Sequence, residues 1–430
     1  MDILVKPTQK LKGRVTLPGS KSYSIRAFMI AHCAPYATIV NPSNCDDAKV
    51  SIRVIKQLGS IVSSTTKNVF SVTRSRRAVF VPTIDVGESG TVLRLLLPLA
   101  SLRQQPLTIT GQGTLRGRPN AYLVSTLQSM GKRIVGSGKN ASVPIKIDDG
   151  SLKGGRIAID GSLSSQFISA LLMTCPQLKE DSRIVLKGNK LVSSDYITMT
   201  LQVLKQCGIS IKPVGRREFI VKGNQAFEPL KHFKVPSDSG LAAFLMAGAS
   251  LVSSDVTLEG FLSKQFIQAD SAIFSFLKKM GVRMSLNEKQ IRIKGPFALR
   301  GGTFSLKDCP DLVPIMAVLG LFAKGTTRLI DIAHARAKES DRISDLRKEL
   351  LKVGADIRET KETLSIYPKP LYKSNVILNP HSDHRMAMAF CILGLKVGVR
   401  VKDIECTHKS YPDFCRDLKS LGSAFSLVKI

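Results

Sequence analysis

Residues able to do chemistry gather at the starts of apolar, helix-like segments of this 430-residue chain. Pro18-Gly19-Ser20-Lys21-Ser22 leads to Arg26, and Gly87-Glu88-Ser89-Gly90-Thr91 leads to Arg94. Gly161-Ser162-Leu163 is followed by the polar set Ser164, Ser165 and Gln166; Asp311 opens a later segment and Asp383-His384-Arg385 the last. Between them lie Arg116-Gly117-Arg118-Pro119, Ser193-Ser194-Asp195-Tyr196, Lys338-Glu339-Ser340-Asp341-Arg342 and Thr407-His408-Lys409-Ser410. A helix N-terminus offers unpaired N–H groups and about half a positive charge, so it attracts anions. Arginine forks suit carboxylates and phosphates, and a carboxylate near a reacting proton serves as general base. The implied chemistry is capture of small anions with acid–base catalysis. Taken singly, each stretch is an ordinary cap or a solvated ion pair. No GxxxxGK[ST] loop is present, which disfavours nucleotide hydrolysis. What argues for function is recurrence of these residue types at equivalent places, which symmetry would gather.

The symmetry is countable. Six amphipathic segments end at a glycine and turn strand-like: Gly59, Gly131, Gly208, Gly281, Gly354 and Gly422, spaced 72, 77, 73, 73 and 68 residues apart. The glycines are expected to take the left-handed conformation that closes a helix. Interleaved with them, Ser22, Ser89, Ser165, Ser239, Asp311 and Asp383 precede small-residue-rich apolar helices, at spacings of 67, 76, 74, 72 and 72. These six are expected to be N-caps, and helices apolar all round are expected to be buried. Each repeat then holds a buried helix, a strand, an amphipathic helix and further strands. Six repeats make an α/β protein of two similar domains with three repeats each.

Composition agrees with a globular chain: 43% hydrophobic and 22% charged. The apolar run Leu312–Ala323 is broken by Pro314 and Gly320, too short for a membrane span. Met1–Lys10 lacks a signal-peptide h-region, so a cytoplasmic protein is expected. Eight cysteines show no CxxC and no metal-ligand spacing, and read as free thiols. Sixty-three Lys and Arg against 33 Asp and Glu give a net charge of +30, a field that favours anionic partners. Nucleic acid is not favoured, because the basic residues are scattered, with only short clusters at Ser75–Arg77 and Arg216–Arg217.

The motifs LPGSKS, GSLSSQF, KESDR and DHRMAM, in this order and from Leu17 to Phe414, resemble the 5-enolpyruvylshikimate-3-phosphate synthase family of enolpyruvyl transferases. The resemblance implies an inside-out α/β barrel fold of two domains, each of three β-α-β-α-β-β units. Residues 1–18 with 236–430 would form one domain and 19–235 the other, with the active site in the cleft between them. It implies transfer of the enolpyruvyl group of phosphoenolpyruvate to the 5-hydroxyl of shikimate 3-phosphate, with release of phosphate and without metal or cofactor. Glyphosate would inhibit; no obligatory protein partner or membrane is implied. Lys21, Ser22, Arg26, Ser164, Ser165, Gln166, Ser193, Tyr196, Asp311 and Lys338 match the shikimate 3-phosphate site. Lys21, Gly90, Arg94, Arg118, Gln166, Arg342, Arg385 and Lys409 match the phosphoenolpyruvate site. Asp311, Glu339, Lys21 and Lys409 match the catalytic set. Two positions depart from the common pattern: Glu88 and His334 stand where many members have Asn. The alternative readings are a UDP-N-acetylglucosamine enolpyruvyl transferase, which typically has a loop cysteine that the stretch from Leu107 to Gln128 lacks, and a basic nucleic-acid-binding repeat protein.

Overall fold

The structure, a computed structural model, describes residues 1–75, 81–188 and 191–429. Arg76 and Arg77 of the first basic cluster lie outside the described residues. Contacts divide the chain into two units, Met1–Pro18 with Pro236–Ile430, and Gly19–Val235. The apolar segments form helices α1 (Lys21–Ala31), α2 (Gly90–Ser101), α3 (Ser165–Thr174), α4 (Ser239–Leu251), α5 (Val313–Leu321) and α6 (His384–Val397). Every residue of α4 and α5 is buried, and nearly every residue of the others. A helix with no polar face has only an interior to occupy. In one unit α4, α5 and α6 pack against one another. In the other, α2 packs on α1 and α3, and the helix Ser194–Gln206 packs on both α1 and α3.

Among the described residues six four-stranded sheets flank these helices, three to a unit, and all have one pattern. A parallel pair is extended by two antiparallel strands, as in Gly155–Asp160, Ser182–Lys187, Glu218–Val221 and Ile211–Val214. In strands such as Ser182–Lys187 buried and more exposed residues alternate, so one face turns inward and the other meets water. Two sheets borrow a strand from far along the chain. Lys10–Thr16 pairs in parallel with Ser253–Glu259, and Leu230–Lys234 with Tyr36–Val40. Each borrowed strand stays in the unit the chain is about to leave, at Pro18 and at Val235. A third sheet takes the N-terminal strand Asp2–Val5 between Val399–Val401 and Phe425–Val428.

All six repeat glycines have positive φ, between 74° and 101°. Each donates its N–H to the carbonyl three residues back, for instance Gly281 to Lys278 at 3.0 Å. The expected N-caps need correction at four places. Ser89 and Asp383 cap as expected, accepting from the N–H groups of Val92 and Arg385. Ser164 rather than Ser165 caps α3, and Asp238 rather than Ser239 caps α4. Ser20 rather than Ser22 precedes α1, without a side-chain cap. Asp311 lies in a 3-10 turn, Pro310–Leu312, ahead of α5. Adjacent Ser-Ser and Asp-Ser pairs offer two capping oxygens, and the residue that keeps an extended backbone takes the role. Among the described residues no helix is long and apolar enough to cross a membrane.

The backbone of α6 rides close on the N-terminal strand at Gly394, where an added Cβ would stand 2.7 Å from the Val5 Cβ. Gly394→Ala is expected to lower unfolding stability by about 1–3 kcal/mol, the usual cost of overpacking, read from the urea midpoint. An unchanged midpoint would mean that this contact yields without cost.

Candidate active site

In the unit holding residues 236–430, one guanidinium organises the polar interior. Arg342 is 1% exposed, and its Nε donates to Asp383 Oδ2 at 2.7 Å and its Nη2 to Asp383 Oδ1 at 3.2 Å. Its Nη1 donates to Asp311 Oδ1 at 2.6 Å and its Nη2 to Glu339 Oε2 at 3.1 Å. Asp383 is itself the cap of α6, so the same carboxylate closes the helix and grips the arginine. Ser340 Oγ donates to it as well, at 3.1 Å. Burial works against the Arg342 cation, but Asp383, Asp311 and Glu339 overcome it and hold the guanidinium protonated far up the pH scale.

Asp311 receives two further cations: Arg385 Nη2 stands 2.9 Å from Oδ2, and Lys338 Nζ 3.6 Å from Oδ1. Burial pushes the Asp311 carboxyl up, and Arg385, Lys338 and Arg342 together pull it well below the usual carboxylate range. Glu339, 9% exposed, has Lys409 Nζ at 3.9 Å from its Oε1. Six residues expected from the sequence, namely Asp311, Lys338, Glu339, Arg342, Arg385 and Lys409, thus belong to one connected cluster. They come from the turn before α5, the loop after Ala333–Ala337, the start of α6 and the turn Ile404–Lys409. His334, in the turn Ala333–Ala337, is buried, and its Nε2 has no hydrogen-bond partner. Burial, aided by Lys338, pushes its pKa down to about 4, so it is neutral at physiological pH.

The unit of residues 19–235 holds the remaining expected residues. Arg94, buried on the first turns of α2, donates from Nη1 to Gln166 Oε1 at 2.8 Å and to Ser164 Oγ at 3.5 Å. Its Nε reaches Asn120 Oδ1 and its Nη2 the Pro119 carbonyl, while Phe167 lies beneath the guanidinium at 5.1 Å. Gln166 Nε2 in turn donates to Thr91 Oγ1 at 2.9 Å. These bonds orient the Gln166 amide across the starts of α2 and α3. Gly90 has a steric reason: an added Cβ would lie 2.6 Å from Arg118 Nη1, so only glycine lets that guanidinium settle on the N-terminus of α2. Glu88 turns onto Gly113, where a Cβ would meet its Oε1 at 2.0 Å, beside the turn leading to Arg118.

Lys21 Nζ stands 3.2 Å from Asp47 Oδ2. Arg26 is 1% exposed and spans two helices, donating to Thr200 Oγ1, the Ser22 carbonyl and the Tyr196 carbonyl. Burial lowers its pKa to about 10. Its link to Ser22, four residues earlier on the same helix, runs through the Ser22 backbone carbonyl. Ser193 precedes the helix of Tyr196 with a left-handed backbone, φ +56°, and Ser165 is the first helical residue of α3. In this unit the expected residues form local groups around Arg94, around Arg26 and at Lys21–Asp47, whereas those of the other unit share one connected network. Asp270, Asn120 and Asp47 were not singled out from the sequence, and Thr91 and Asp383 were named there only as members of helix-start stretches.

The family model for EPSP synthase (3-phosphoshikimate 1-carboxyvinyltransferase) matches residues 5–418. The chain is 35% identical over 436 residues to the 3-phosphoshikimate 1-carboxyvinyltransferase of Methanococcus aeolicus, covering 99% of this chain and 100% of that one. Among solved structures, an EPSP synthase from Acinetobacter baumannii superposes with a TM-score of 0.81 at 24% identity, over 100% of both chains. The enolpyruvyl transferase NikO from Streptomyces tendae does so with a TM-score of 0.78 at 17% identity, over 99% of this chain and 98% of that one. These neighbours share its two-domain, inside-out α/β fold, in which apolar helices form the interior and sheets the surface. The sequence match, spanning nearly the whole chain, places it in the EPSP synthase (3-phosphoshikimate 1-carboxyvinyltransferase) family.

Proposed function

We propose that the expected residues of both units serve a single turnover, in which the enolpyruvyl group of phosphoenolpyruvate passes to the 5-hydroxyl of shikimate 3-phosphate and phosphate leaves. Family membership makes the chain a transferase of this class, and the match favours neither alternative reading. The observation that carries the site assignment is Asp311 gripped by Arg342, Arg385 and Lys338. Both substrates are anions that would repel one another. Unit charges about 4 Å apart interact by about 4 kcal/mol at an effective dielectric near 20. A site for both needs fixed cations, and the two units supply Lys21, Arg94, Arg118, Lys338, Arg342, Arg385 and Lys409.

The cations also set the timing of the base. A carboxylate held by three of them is a weak proton acceptor. A phosphate or carboxylate that draws Arg385 and Lys338 toward itself lifts Asp311 into the range where it accepts the 5-hydroxyl proton. Substrate capture thereby activates the base. Glu339, between Arg342 and Lys409, is placed to give and take the proton at the enol-ether methylene, and Lys409 to meet the leaving phosphate. Gln166, oriented by Arg94 and Thr91, offers its amide to both substrates. Ser22, Arg26, Ser164, Ser165, Ser193, Tyr196 and Lys338 hold shikimate 3-phosphate; Gly90 and Arg118 hold phosphoenolpyruvate. Glyphosate, itself an anion, would compete for the same cations, and the reaction would run in the cytoplasm.

Phosphate release that requires both phosphoenolpyruvate and shikimate 3-phosphate tests the function; release with either one alone contradicts it. Asp311→Ala is expected to lower kcat at least about 100-fold, the usual share of a general base, while calorimetry still detects shikimate 3-phosphate. Near-normal kcat would remove the role. Arg118→Ala is expected to raise KM for phosphoenolpyruvate about 10–100-fold, as loss of a charge-assisted hydrogen bond does, with little change for shikimate 3-phosphate. An equal rise in both KM values would contradict the assignment.

A further inference from the structure

Arg385 is shared. On one side its Nη2 meets Asp311 at 2.9 Å; on the other it lies 3.5 Å from Asp270 Oδ2. Asp270 sits in the buried turn Ala269–Ser271 and is no part of the site expected from the sequence. Its surroundings are built to bring a carboxylate and a guanidinium together at a helix start. An added Cβ at Gly240, on the first turn of α4, would stand 2.3 Å from Asp270 Oδ2 and 3.0 Å from Arg385 Nη1. The turn is pinned to the same helix. Gln268 Oε1 accepts the Ser239 N–H at 3.2 Å, Gln268 Nε2 donates to the Ser237 carbonyl at 2.8 Å, and Ser271 Oγ donates to Ser239 Oγ at 3.0 Å.

We propose that Asp270 is a positioning residue that competes with an incoming anion for the Arg385 guanidinium, and so sets how tightly Arg385 holds phosphoenolpyruvate. This rests on the reading of Arg385 as a phosphoenolpyruvate ligand. The charged groups facing Asp270 are Arg385 from α6, Asp311 from the turn before α5, Asp238 from the cap of α4, and Lys338. Burial pushes the Asp270 carboxyl up to about 7 against the pull of Arg385, and Asp311 and Asp238 add to the rise. An anion on Arg385 removes part of that pull and adds a like charge, which moves the carboxyl further up. Linkage is reciprocal. The neutral form of Asp270 therefore favours the anion, and affinity falls as pH rises through its titration. One unit of such coupling is a tenfold change.

The test is KM and kcat for phosphoenolpyruvate at saturating shikimate 3-phosphate, from about pH 6 to pH 8.5, in the unsubstituted enzyme, Asp270→Asn, Asp270→Glu and Arg385→Ala. Comparison between variants cancels the substrates' own titration. Asp270→Asn, fixed in the neutral form, is expected to match the unsubstituted KM near pH 6 and to fall about tenfold below it near pH 8.5, by that one unit of coupling. Asp270→Glu keeps the pH dependence. Parallel KM profiles for the unsubstituted enzyme and Asp270→Asn would overturn the inference while leaving the site intact. An Arg385→Ala variant with unchanged KM would instead overturn the reading of Arg385 beneath it. Where Asp270→Asn fails to fold, carboxyl-labelled aspartate NMR on the unsubstituted enzyme decides. A carboxyl titrating near 7 that moves upward with both substrates supports the inference, and one that does not move refutes it.

Discussion

A buried arginine holding three carboxylates is the constraint around which the rest of the larger-numbered unit is arranged. Arg342 is 1% exposed and touches Asp311, Glu339 and Asp383. Removing one partner of such a group leaves a charge that water cannot reach, at a cost of about 3–5 kcal/mol. That cost binds together segments far apart in sequence. The turn before α5, the Lys338–Arg342 stretch and the cap of α6 must all arrive for the guanidinium to be satisfied. The arrangement gives little net stability over an apolar core, but it fixes the positions of two carboxylates to which the chemistry is assigned. Its counterpart in the other unit is Arg94, which spends its donors on Asn120, Ser164, Gln166 and the Pro119 carbonyl. In both units an arginine turned inward orients groups on neighbouring helix starts.

The repeat explains why helix starts carry so much. Helices apolar all round are driven inside by burial of their side chains, leaving the sheets to face water. A polar residue on such a helix must sit near an end or be satisfied inside, as Arg26 is by Thr200 and the Ser22 and Tyr196 carbonyls. At the starts of these buried helices Gly90 and Gly240 let guanidinium or carboxylate groups approach the backbone directly.

Much of this was legible in the residues. The six glycines were readable because a left-handed helix closure tolerates few other side chains, and all six close their helices with the same backbone bond. The buried helices were readable from their lack of a polar face. The cations at helix starts were readable as types, and the family motifs named them. Other features had no local signal. Asp270 occupies a plain Gln-Ala-Asp stretch, and its meaning comes from Arg385, more than a hundred residues later. Asp47 reads as a first-turn acid favouring its own helix, yet it meets Lys21. Asn120 and Thr91 act through side chains of other repeats. The strands Lys10–Thr16 and Leu230–Lys234 join sheets whose other strands lie far along the chain in the same unit, which no local periodicity records. The slipped caps at Ser164 and Asp238 came from adjacent polar pairs that differ only in backbone conformation.

The central claim is that a planar guanidinium, and not merely a positive charge, holds the carboxylates in working positions. Arg342→Lys keeps the charge and loses the fork. Its kcat for phosphate release, measured with both substrates saturating and with folding verified by circular dichroism, tests the claim most directly. The account predicts a loss of about 100-fold or more, since small misplacements of catalytic groups cost that much. A folded lysine variant turning over within about twofold of the unsubstituted enzyme, far inside that range, would contradict it.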